Sequence, residues 1–111
     1  MFSEEVNAQI AAEMANGEAA RAGGNEGKAR VCARRAAGVA VREYLRLGGQ
    51  AAQGSAYELL GLIQEQAGIS PRVCEAAENL RMKVDVNHQL PVMVDLVLEA
   101  RILVQALEQS V

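Results

Sequence analysis

Aromatic side chains are nearly missing from this chain: Phe2, Tyr44 and Tyr57 are the three, and tryptophan is absent. A surface that reads unpaired bases by stacking needs several aromatic platforms, so sequence-specific reading of a single strand is disfavoured. Proline occurs twice, and ten glycines are too few for the many short turns of an all-β sandwich. Cys32 and Cys74 are isolated, with neither the CxxC spacing of a zinc or redox site nor the density of a secreted disulfide scaffold. They read as reduced, packed thiols. Long apolar runs are also lacking: the best candidate, Leu90 to Leu98, is broken by Asp95, well short of the roughly 20 residues that cross a bilayer. The opening Ser3-Glu4-Glu5 has neither the basic region nor the apolar core of a signal peptide. The expectation is a cytoplasmic protein without membrane attachment.

What is present points one way. A chain of 111 residues has the length of one domain, spanning 1–111. Half of it is hydrophobic, and twenty residues are Ala. Small and aliphatic side chains must therefore fill the core, and Ala has the strongest helix propensity. The spacing predicts a first helix over about Glu4 to Ala22 with Ser3 as N-cap, closed by Gly23-Gly24. A second runs from the Asn25 cap to Leu47 and stops at Gly48-Gly49. Ser55-Ala56-Tyr57-Glu58 is a capping box that opens a third helix, expected to reach Ala67. Ser70-Pro71 opens a fourth. After a break from Asp85 to Pro91 a final helix is expected to continue to about Glu108. Its apolar positions cover more than one narrow stripe, so it must lie at the centre of the bundle or at a dimer interface. The fold class is all-α, an antiparallel, up-and-down bundle of four to five helices. A homodimer is the expected assembly.

Fourteen acidic residues against eleven Lys and Arg give a net charge of −3, with no global sign of nucleic-acid binding. The cations nonetheless cluster. Six of them, Lys28, Arg30, Arg34, Arg35, Arg42 and Arg46, fall in one stretch beside the single acid Glu43. On a helix, Ala29, Cys32, Ala33, Ala36, Ala40, Tyr44 and Leu47 share an apolar arc, with Lys28, Arg35, Arg42 and Arg46 along one border and Arg30 and Arg34 on the far side. That border stripe is either a phosphate track or a solvated face. Glu43 projects into the apolar arc, where a carboxylate needs a partner; Arg101, Tyr57 or an arginine of a second copy are the candidates. Gly27, Gly38 and Gly61 inside helical patterns suggest close helix–helix approach. Asp95 and Glu99 share a face of the last helix and read as a polar strip, since a lone carboxylate pair without a His nearby on the helix is weak ground for a divalent-ion site. No cofactor or metal is expected, and no Ser-His-Asp or Cys-His arrangement can be read from spacing.

The order of these features resembles the HEPN superfamily of small helical bundles. The likeness rests on the stretch from Gly24 through Lys28 to Arg30, the Ala-rich second helix ending Tyr44-Leu45-Arg46-Leu47-Gly48, the short helix Tyr57-Glu58-Leu59-Leu60-Gly61-Leu62, a helix opened by Pro71, a polar break, and a last helix carrying Glu99-Ala100-Arg101-Ile102-Leu103. It covers nearly the whole chain. The resemblance implies a homodimer, often partnered with a minimal nucleotidyltransferase in a toxin–antitoxin pair, and either a non-catalytic binding module or a metal-independent ribonuclease acting on RNA. Catalytic members carry an Arg and, beyond a spacer of four to six residues, a His before the last long helix; here these are Arg81 and His88, with six residues between them. In that role His88 would move the proton of a 2′-hydroxyl near neutral pH. Arg81 would hold the phosphorane charge, with Asn87 or Asp85 orienting the imidazole. The plain alternatives are that His88 opens the last helix and that Arg81 steadies the C-terminus of the fourth.

Overall fold

Ser3, Asn25, Ser55, Ser70 and Asp95 each accept, through a side-chain oxygen, the backbone N–H three residues further on. These caps satisfy orphan donors and set where each helix begins. The computed structural model describes residues 1–83 and 93–111. Among them are α1 (Glu4–Ala22), α2 (Glu26–Leu47), α3 (Ala56–Gln64), α4 (Pro71–Leu80) and α5 (Leu96–Gln109), and no strand. The protein is an all-α bundle of these five helices. None of them is long and apolar enough to cross a membrane.

Two boundaries differ from expectation. Helix α3 stops at Gln64 rather than Ala67, because the Glu65 N–H turns back to the carbonyls of Leu62 and Ile63 and the chain then reverses through Gly68 at φ +81°. Helix α5 starts at Leu96: Asp95, expected on the helix face beside Glu99, is its cap and accepts the Leu98 N–H at 3.1 Å.

Cross-links between helix ends fix the topology. Arg21 at the end of α1 bonds Asp95 at the start of α5 at 2.9 Å, whereas the Phe2 N–H before α1 reaches Glu108 at the end of α5 at 3.3 Å. Helices α1 and α5 are therefore antiparallel. The turn at Gly23-Gly24 folds α2 back along α1, so α2 runs parallel to α5. Closest approach of α1 to α2 occurs at Gly17, where a Cβ would sit 3.2 Å from that of Cys32. Helix α3 meets α2 at Gly38, whose Cβ would fall 3.0 Å from the Ala56 backbone. Gly27 serves no such approach, since nothing but the Asn25 side chain comes within 4 Å of the same position.

Helix α2 forms the centre, packed by α1, α3, α4 and α5. Ala29, Cys32, Ala33, Ala36 and Ala40 of the expected arc are buried, whereas Tyr44 is half-buried and Leu47, in the last turn, is 43 % exposed. The greasy breadth of α5 is accounted for within one chain: Leu96, Val97, Ala100, Leu103 and Leu107 are buried, and α2, α4 and α1 cover it. Each such aliphatic side chain stabilises the fold by about 1.5–3 kcal/mol.

Candidate functional site

The last carbonyls of a helix need partners, and at α4 an arginine from α2 supplies them. Arg34 donates from Nε to the Leu80 carbonyl at 2.6 Å and from Nη2 to that of Met82 at 2.7 Å. Its half-burial, and then repulsion from Arg30, hold its pKa below the usual arginine value. This clamp fixes residues 80–82 against α2 and turns Arg81 onto α3.

There the Arg81 guanidinium lies along one face of α3, formed by Tyr57, Gly61 and Gln64 at helical spacing. Its carbon sits 4.2 Å from the Tyr57 ring centroid, and Nη1 donates to Gln64 Oε1 at 3.1 Å. Gly61 is the seat: a Cβ there would stand 3.2 Å from the guanidinium carbon and from Nη2. Lys83 reaches the same ring, its Nζ 5.3 Å from the centroid. Each such cation–ring contact at an exposed site is worth about 0.5–1 kcal/mol. Arg81 Nε is buried without a hydrogen-bond partner among the described residues, an arrangement that costs about 1–3 kcal/mol. Arg34, Tyr57, Arg81, Met82 and Lys83 together line an open groove of about 380 Å³. Two cations thus lie against one aromatic ring and a third, Arg34, lines the same groove, and among the described residues no carboxylate forms an ion pair with any of the three.

Comparisons with protein-family models, with curated proteins and with solved structures found no match for this chain.

Of the residues singled out from sequence, Arg81 is in this groove. His88 and Asn87, with Asp85, fall in 84–92, outside the described residues. Three residues of the expected stripe along α2 line two adjoining grooves that share Arg42. Arg35 and Arg42 line a shallow groove of about 180 Å³ that also contains Glu13, and Arg42 and Arg46 line another of about 400 Å³ that contains Glu43. Lys28 lies exposed in the first turn of α2, in neither groove.

Glu43 is buried as its position in the arc demanded, but its partner is none of those expected. Arg46, one turn along, donates from Nε to Oε1 at 2.6 Å and from Nη2 to Oε2 at 3.1 Å. That bidentate pair holds the Glu43 pKa below the ordinary carboxylate range against the opposing effect of burial. Arg101 instead pairs with Glu18 across α5 and α1. Glu99 is a second buried carboxylate, which the sequence reading placed on a polar strip. It is bound by Arg72 and by Asn79 Nδ2 at 2.6 Å, and these partners, Arg72 foremost, lower its pKa. Both carboxylates are committed to structural arginines, which leaves them no part in proton transfer. No three His, Cys, Asp or Glu side chains gather into a metal-binding group among the described residues.

Sequence reading missed Arg34 and the α3 face. The spacing of Tyr57, Gly61 and Gln64 was legible, but that a cation would lie on it depends on the α3–α4 contact.

Proposed function

We propose that this chain is a HEPN-like binding module that engages phosphate-bearing ligands, RNA foremost, through the groove between α2, α3 and α4. The observation that carries this reading is the gathering of Arg34, Arg81 and Lys83 in one groove with Tyr57, on whose ring Arg81 and Lys83 lie. Arginine and lysine beside an open aromatic face match the needs of a phosphate and an adjoining base. Tyr57 is 43 % exposed and therefore able to stack. A minimal-nucleotidyltransferase partner and a homodimer belong to the same reading. The homodimer is supported by the exposed apolar side chains of Met1, Leu47 and Val111, which line one cavity of about 500 Å³ at the end of the bundle.

A second reading is favoured by the place of Arg81, whose groove also holds Lys83, the residue directly before the segment 84–92 that carries His88. In it, Arg81 and His88 act together as a metal-independent ribonuclease. One experiment addresses both: a short fluorescent RNA is titrated with wild type, Lys83→Ala and His88→Ala, and its anisotropy and integrity are followed together. Binding that weakens about three- to tenfold in Lys83→Ala, with RNA left intact by all three proteins, supports the binding module. Cleavage by wild type that His88→Ala abolishes supports the nuclease. Wild-type protein that leaves RNA both unbound and intact contradicts both.

A further inference from the structure

Resting on the phosphate-binding reading, the geometry points to a narrower ligand: we propose that the groove takes a terminal phosphate monoester, not the internal phosphodiesters of a strand. Charge is the first ground. A monoester carries about −1.5 to −2 at neutral pH and offers three strong acceptor oxygens, whereas a diester carries one negative charge. Arg34, Arg81 and Lys83 bring three positive charges to a groove of about 380 Å³, with Arg30 close enough to Arg34 to be felt electrostatically. A single diester would leave most of that charge unanswered.

The second ground is what flanks the groove. A bound strand would have to lay further phosphates along α2, and the surfaces there carry acids. Glu13 shares the groove of Arg35 and Arg42, and Glu43 shares that of Arg42 and Arg46, where Arg46 is already spent on it. Between the basic groove and these surfaces stands the start of α3, where the Glu58 carboxylate closes over Gly54 at 3.2 Å from its Cβ position and binds the Ser55 N–H. Attraction for phosphate is therefore local. Aromatic supply agrees with this, since among the described residues Tyr57 is the one ring lining the groove.

The third ground is how Arg81 is held. Tyr57, Gly61 and Gln64 fix the guanidinium before any ligand arrives, so its ordering is not charged to binding.

The test compares one short RNA carrying either a 5′-phosphate or a 5′-hydroxyl, labelled at the 3′ end, by fluorescence anisotropy, with adenosine monophosphate as competitor. Wild type is expected to bind the phosphorylated RNA at least about tenfold more tightly, the effect of the monoester's added charge of about −1.5 to −2 in a solvent-screened site. Lys83→Ala and Gly61→Leu should shrink the preference to about twofold or less. Gly61→Leu fills the seat of Arg81 with a strong helix former, so circular dichroism should show α3 intact. Competition by the mononucleotide as strong as by phosphorylated RNA assigns the monoester to a free nucleotide, and weaker competition assigns it to an RNA end; either supports the proposal. Equal affinity for both RNAs overturns it while leaving phosphate binding in place. Failure of both RNAs and of the mononucleotide to bind overturns the broader reading as well.

Discussion

Glu43 and Glu99 are carboxylates buried beneath arginines that stay open to water: the Arg46 side chain is 63 % exposed over Glu43, and that of Arg72 is 43 % exposed over Glu99. Both pKa values lie below the ordinary 4.5, by the hydrogen bonds of Arg46 and Arg72 respectively. The folded protein therefore binds fewer protons than the unfolded chain in acid. The stabilisation is fully present above the unfolded value and is lost as pH falls through the lower folded values. Thermal unfolding followed by circular dichroism should give a midpoint that drops steeply below about pH 4.5, and Glu99→Gln should lower the midpoint at pH 7 while flattening that drop. A wild-type midpoint unchanged between neutral pH and about pH 3 would contradict the assignment. At this scale the sequence was half legible. The misfit of Glu43 in an apolar arc announced a partner, but periodicity does not distinguish an arginine one turn along from one on another helix, so Arg46 was passed over for Arg101. Arg34 was hidden for the related reason that a cation on the outer side of α2 looks solvated until α4 is docked beside it.

Local chemistry spoke most clearly at the level of helices. Four caps, at Ser3, Asn25, Ser55 and Ser70, and the Ser55–Glu58 capping box stood where the structure has them, because each depends on residues within one turn. The start of α5 and the end of α3 were misjudged. Apolar periodicity ran on through Val92 and Ala67, and the competing cap at Asp95 and the turn at Glu65 outweighed it. Glycines show the same division between local and tertiary causes. Gly27 and Gly38 look alike in sequence, yet Gly38 alone meets another helix, with Ala56 at 3.0 Å from its Cβ position. Gly38→Val is expected to cost about 1–3 kcal/mol by overpacking, lowering the thermal midpoint by several degrees. Gly27→Ala should leave it unchanged or slightly raised. Equal effects of the two substitutions would show that α3 does not rest on α2 as described.

Taken as a whole, the molecule puts its alanine-rich helix at the centre and gives its edge to function. Small side chains along α2 let four helices crowd it, and the same crowding brings the end of α4 against α3 so that arginines from two elements share one groove. The all-α bundle was readable from composition and spacing. The groove was not, because Arg34, Tyr57 and Arg81 come together only when three helices pack. The phosphate-binding role proposed for it is tested most directly by the salt dependence of RNA affinity. Three participating cations give a slope of log K against log salt of about −2, and Lys83→Ala should make it shallower by about 0.7. A slope near −3, about what Lys28, Arg35, Arg42 and Arg46 together would give, unchanged in Lys83→Ala, would mean that the α2 stripe, not the groove, holds the ligand, and the account would fail.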